Sequence, residues 1–305
     1  MKPIKLDQHI HSSVDWDDII IEKIKAQRLD FAVITDLDSI NEGLQQKIQQ
    51  NWIWGCYWVE MPVLWPEGSE IHLLLYTKKR FWKWILDILD GNIEYRKMIL
   101  RRKMQSLNES FFEIDEECFF SSVRAKSWES YRFGRYDLAR YIFSIAKHRN
   151  KVFEILWREI SAEDFWEQFL EDYDENPECD SRFHWQELPR LQDITRNVDS
   201  RCTVISLAHP HLLFKNTQEF RRRIWLYLDL GINGLEISSC AHKTWEHEII
   251  NANKAHWAIL TFWSDYHSES ELNEGNHWDI WQLNPELNNK IILENYKEFI
   301  SVINS

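Results

Sequence analysis

Asp7-Gln8-His9-Ile10-His11-Ser12 follows directly on Ile4 and Leu6, whose alternation predicts a short strand. Residues two apart on a strand point to the same side. His9 and His11 therefore project together from one strand end, and two imidazoles so placed make half of a metal site. A bare His-x-His also arises as ordinary surface polarity. Its meaning depends on whether the rest of the chain supplies matching ligands in a workable order.

Outward from that stretch, residues 15–28 have helical spacing, with Ile19, Ile20 and Ile24 in phase. Asp15, Asp17 and Asp18 stand at the helix start, where carboxylates suit the dipole. Phe31-Ala32-Val33-Ile34-Thr35-Asp36 is an apolar run with a polar end, the pattern of a buried strand. A second helix is expected over about 40–50. Strand, helix, strand, helix predicts a parallel α/β architecture. Residues 52–64 read as a strand ending near Glu60, and Pro66-Glu67-Gly68-Ser69 as a turn. Residues 70–76 form the next strand, with His72 inside it, and 78–108 are helical. The basic triplet Arg101-Arg102-Lys103 on that helix reads as a solvated face.

Residues from about 109 to 200 differ in character. They are acidic and aromatic, with helical stretches near 135–148 and 161–173 and an acidic loop at 171–180. This region reads as a mainly helical insertion in a single domain spanning 1–305. The strand pattern returns at 203–208, leading into His209-Pro210-His211, then at 231–237 and 257–263, the last leading into Ser264-Asp265-Tyr266-His267. Helices are expected over about 217–230, 244–256 and 287–303.

The 305 residues suffice for a barrel-sized domain, and 44% hydrophobic content excludes a disordered chain. A net charge of -13 opposes broad adhesion to nucleic acid, though not a local groove or a site carrying its own cations. The 17 tryptophans read chiefly as core packing. The five cysteines are scattered, as reduced thiols of a cytoplasmic protein would be. No apolar run is long enough to span a bilayer, and no leader pattern is visible.

Metal-capable residues thus recur at successive strand ends: His9 and His11, Asp36, Glu60, His209, Asp265 and His267. In parallel barrels the C-terminal strand ends are where sites form. Each residue alone has a plainer explanation: His72 as a core histidine, Glu60 as a solvated strand end, Asp265 as a turn residue. Their joint recurrence is what points to a site.

These motifs resemble those of the PHP (polymerase and histidinol phosphatase) metallophosphoesterases. The resemblance runs from about residue 6 to 267, apart from the insertion. It rests on residues 7–12, Ile34-Thr35-Asp36-Leu37-Asp38, Glu60, residues 70–76, Ala208-His209-Pro210, Gly234-Leu235-Glu236 and residues 264–267. It implies a distorted (β/α)7 barrel with an insertion after the fourth strand, and two or three divalent ions, Mn, Zn or Fe, at its mouth. His9, His11, Glu60 and Asp265 would hold the first ion and carry the catalysis. Glu60 would bridge to a second ion on His72 and His209, and a third would take Asp15 and His267. Two features depart from the pattern. Leu37 stands where the family has a histidine, and Arg135-Tyr136-Asp137 replaces an Arg-Pro-His stretch.

The activity implied is hydrolysis of phosphate esters, in nucleotides or short nucleic acids, by a metal-activated water. A histidinol-phosphatase-like activity is the alternative substrate class. A PHP-like subunit working through a protein partner is the non-enzymatic alternative. No membrane role is expected.

Overall fold

The computed structural model describes residues 4–12, 17–51, 57–110, 112–124, 134–170, 188–238, 242–266 and 289–305. They fall into two compact units, Met1–Leu86 with Leu188–Ser305, and Asp87–Glu187.

The first unit holds seven strands: β1 (Leu6–Ile10), β2 (Phe31–Ile34), β3 (Tyr57–Leu64), β4 (Glu70–Thr77), β5 (Thr203–Leu207), β6 (Gly234–Ser238) and β7 (Ile259–Trp263). Around them run α1 (Asp17–Gln27) and α2 (Glu42–Asn51). The element order is close to the one the sequence predicts, but the sheet is neither parallel throughout nor one closed ladder. Among the described residues, β1 and β2 form a parallel pair, and β3-β4-β5-β6-β7 form a second sheet. In the latter, β4 runs antiparallel to both β3 and β5, while β5, β6 and β7 are parallel. The turn at Pro66–Ser69 makes β3 and β4 a hairpin, which forces the reversal. Isolated bridges carry the pairing onward, from Leu37 to Glu60 and from Ile10 to Tyr266.

Strands β1, β2, β5, β6 and β7 are buried along their whole length. The apolar runs of β2 and β7 suit strands covered on both faces. The last helix of the chain packs on this core. Its Phe299 meets the rings of Phe31 and Tyr76 edge-on, and its Asn295 accepts the Leu260 amide. Gly234 permits a close approach to Ser206 on β5. A Cβ there would lie 2.9 Å from the Cβ of Ser206 and 3.0 Å from its Cα. Gly234→Ala is therefore expected to destabilise the protein by about 1–3 kcal/mol, read as a lower urea midpoint at unchanged m.

The second unit is helical: α3 (Lys83–Ser110), α4 (Glu116–Arg124), α5 (Arg135–Ser144), α6 (Ala146–Leu156) and α7 (Ala162–Phe165), the last running into a π-turn over Trp166–Leu170. The single helix expected over 135–148 is two, divided at Ile145, whose backbone is extended. Leu100, Phe112, Phe119, Leu138, Ile142 and Val152 build a core of its own. The acidic loop expected at 171–180 lies outside the described residues.

Four further helices complete the first unit: α8 (Leu191–Asn197), α9 (Pro210–Leu213), α10 (Thr217–Asp229) and α11 (Lys243–His256), with α12 (Asn289–Ile303) as the one on Phe31 and Tyr76. Asn216 caps α10 by accepting from the amides of Gln218 and Glu219. Tryptophan is divided in role: Trp58, Trp65 and Trp263 are core residues, whereas Trp157 and Trp257 are exposed at helix ends. No described helix is long and apolar enough to cross a membrane.

Candidate metal centre

Strand β1 delivers His9, and His11 follows one residue past its end. Their neighbours fix them against β7. The Asp7 carboxylate accepts the amides of His9 and Ser264, and Gln8 Oε1 accepts that of Phe262. The backbone pairs as well, His11 N–H donating to Tyr266 O and Asp265 N–H to His9 O. Asp265 is thereby brought beside both histidines.

Glu60 lies in the middle of β3, not near its end as the sequence suggested. The Leu37 bridge holds it, with Asp38 N–H donating to Glu60 O. His72 is likewise explained by strand direction. Because β4 runs against β5, its beginning sits at the finishing end of β5, where Ala208 N–H donates to His72 O. A residue early in β4 thus reaches the same rim as His209. His209 itself is placed by Pro210, which opens α9 and disfavours helical backbone in the residue before it. His209 adopts φ 46, Asp38 φ 56 and Asp265 φ 53. Three non-glycine residues in left-handed conformation at one rim mark a locally strained site.

The side chains converge. His9 Nε2 and His11 Nε2 are 3.0 Å apart. Glu60 Oε2 lies 3.4 Å from the first and 3.3 Å from the second, and Asp265 Oδ1 lies 3.8 and 3.1 Å from them. A tetrahedral ion with bonds of about 2.1 Å spaces its ligand atoms about 3.4 Å apart. The five separations bracket that value. The other oxygen of Glu60, Oε1, lies 2.7 Å from His72 Nδ1 and 3.0 Å from His209 Nε2. One carboxylate therefore serves two sets of nitrogens. The ligand atoms of His9, His11 and Asp265 all lie within 4.8 Å of one another, as do those of His9, Glu60 and His209.

No family model and no curated protein matches the chain. Solved structures do. A protein from Bifidobacterium adolescentis, inferred to be a metal-dependent phosphoesterase, superposes with a TM-score of 0.71 at 15% identity, over 100% of both chains. An amidohydrolase from Chromobacterium violaceum, solved with bound sulfate and no metal, gives 0.68 at 17% identity, over 92% of each chain. What the chain shares with them at these identities is the fold.

The electrostatics of the cluster call for positive charge. Burial alone would push His9 down, but the Glu236 and Glu60 carboxylates overcome it and hold His9 well above its ordinary value. Burial opposes ionisation of Glu60, yet His72, His9 and His209 keep it well below the usual carboxylate range. His72 is raised to about 9 by Glu60 and Glu70 despite its own burial. The buried carboxylates thus favour positive charge on the groups that face them. Mixed imidazole and carboxylate donors with this spacing fit divalent Zn, Mn or Fe. His9, His11, Glu60 and Asp265 would hold one ion, and Glu60, His72 and His209 the other.

Asp15 and His267, expected at a third ion, lie outside the described residues. Leu37 is buried and has no ligand atom. Asp36 is engaged elsewhere, its two oxygens accepting from Ser12 N–H and Ser12 Oγ at 2.5 Å each. His211 is not among the residues whose ligand atoms converge. Burial and the neighbouring His209 push it down to about 4, against the pull of Asp265. The residue that sequence reading left out of the site is Glu236. The sequence shows it within the Gly234-Leu235-Glu236 motif, without a site role, and as an acid in an apolar strand, between Leu235 and Ile237, a position a carboxylate rarely occupies without a partner.

Proposed function

We propose that the chain is a metal-dependent phosphoesterase with a PHP-type barrel, acting on phosphate esters of nucleotides or short nucleic acids. The observation that carries the reading is Glu60, whose two oxygens face two separate nitrogen sets. When bound, divalent ions at these residues would supply a water of lowered pKa and offset the charge that develops on the phosphoryl oxygens. The residues do the rest. Glu60 would serve both ions, one through each oxygen. His9 and His11, fully buried, close the floor against bulk water. His72, His209 and Asp265 are 29%, 15% and 13% exposed, so a phosphoryl group approaches from their side.

The test is a hydrolysis screen with added Mn²⁺ or Zn²⁺ over an aryl phosphate, a phosphodiester, a nucleotide, histidinol phosphate, a labelled oligonucleotide and an amide. Phosphate-ester turnover that His9→Ala and Asp265→Ala abolish is the expected result. Turnover of the amide alone, or protein that binds no metal, would overturn the reading. The number of ions has a separate check. Metal analysis should find two equivalents in the wild type and a third in Leu37→His, since position 37 lacks the ligand atom. Unchanged content in the variant would mean that Asp15 and His267 do not complete a third site.

A further inference from the structure

We propose that Glu236 is the positioning residue for both halves of the metal centre, setting the tautomer of His9 with one oxygen and the backbone of His209 with the other. The inference rests on the metal-dependent reading above and adds to it the residue that couples the two ions.

Glu236 lies in the middle of β6 and is 0% exposed. A buried carboxylate is tolerated only where its oxygens are paired. Both are. Oε1 is 2.9 Å from His9 Nδ1, and Oε2 accepts the His209 backbone N–H at 2.9 Å. An ionised carboxylate only accepts, so the hydrogen at the first contact belongs to His9 Nδ1. In the neutral form that a metal ligand requires, the lone pair of His9 is then on Nε2, which faces His11, Glu60 and Asp265. At the second contact the hydrogen bond holds His209 in a left-handed conformation, φ 46 and ψ 47, that a non-glycine residue keeps only when its surroundings impose it. That conformation delivers His209 Nε2 to within 3.0 Å of Glu60 Oε1. Glu236 so governs one ligand of each ion from a single side chain. Its charge also adds a third buried carboxylate beside Glu60 and Asp265, which favours cations at both positions.

A glutamine at 236 has one acceptor and one donor arm. In either orientation it satisfies His9 Nδ1–H or the His209 N–H, never both. The experiment titrates full-length, chelator-stripped protein with Zn²⁺ by calorimetry. Glu236→Ala, which removes both acceptors, is expected to weaken both binding steps, each by about 10–100-fold, with circular dichroism unchanged. Loss at one step only, or at neither, overturns the coupling role. Wild-type protein that takes up no Zn²⁺ overturns the metal reading itself, a result distinct from either. Because the variant could fail to fold, a second measurement uses the wild type alone. Nitrogen-15 spectra of its histidines in the Zn²⁺-loaded state should show His9 protonated at Nδ1 and not at Nε2. A proton on Nε2 overturns the assignment.

Discussion

Glu60→Gln is expected to lower kcat/KM on the phosphate ester by about a thousandfold or more, equivalent to about 4 kcal/mol of transition-state stabilisation. Bound metal should fall from two equivalents to one or none. The size of the effect follows from geometry. Oε2 of Glu60 lies 3.3–3.4 Å from the nitrogens of His11 and His9, and Oε1 lies 2.7–3.0 Å from those of His72 and His209. An amide in its place keeps one oxygen and turns a donor towards the other ligand set, so one ion loses an anionic ligand outright. The remaining ion loses the charge and the spacing that the bridge imposed. Two ions held in this way would act in concert on one phosphoryl group, so removing either would remove the clamp. Glu60→Asp separates charge from reach, since it keeps the carboxylate on a shorter arm, and should fall between wild type and glutamine. A Glu60→Gln protein that retains both ions and turns over within about tenfold of wild type would defeat the bridging role.

Much of this centre was legible before the fold was seen, because its chemistry is concentrated in residues that have few other reasons to recur at strand ends. His9, His11, His209 and Asp265 all fall at the rim, at or just beyond the ends of β1, β5 and β7. Strand direction was not legible. Hydrophobic periodicity reports which face of a strand is buried and is blind to whether the chain runs up or down. That is why His72 stood inside a strand in the sequence yet reaches the rim, and why the parallel expectation failed at β4. Glu60 was placed near a strand end for a related reason, since apolar residues on both sides of it leave its position along β3 unmarked. Glu236 stands in a motif of the sequence, but its role is not legible there, because that role lies in two contacts, 2.9 Å each, to residues 227 and 27 positions away. No local pattern encodes such a pairing. The seam between the two sheets was hidden in the same way, for it consists of single bridges at Leu37 and Ile10 rather than of strands with a period.

The same crowding of charges predicts an unusual pH response once the metal is removed. Chelator-stripped protein is expected to be most stable between about pH 4.5 and 6.5 and to lose stability steadily as the pH rises towards 9. The folded values of His9 and His72 are raised above the ordinary 6.5, His72 to about 9. Their contribution is complete below pH 6.5 and disappears as the pH climbs through the folded values. Glu60 is depressed below its ordinary 4.5, so its contribution holds above that pH and fades on acidification. His72 alone could account for about 1–2 kcal/mol once solvent screening of its 29% exposed ring is allowed for. In a protein of this size that is a fall in Tm of a few degrees. The loaded protein should behave in the opposite sense. Its histidines must be deprotonated to act as ligands, so metal binding strengthens with rising pH and adds its own stabilisation. The gap in Tm between loaded and stripped protein should therefore widen from pH 6.5 to pH 9, a trend that differential scanning calorimetry in paired buffers reads directly. A stripped protein whose Tm is flat or rises over that interval would mean that the buried histidines are not held protonated by Glu60 and Glu236, and the charge deficit that makes this cluster a cation site would not exist.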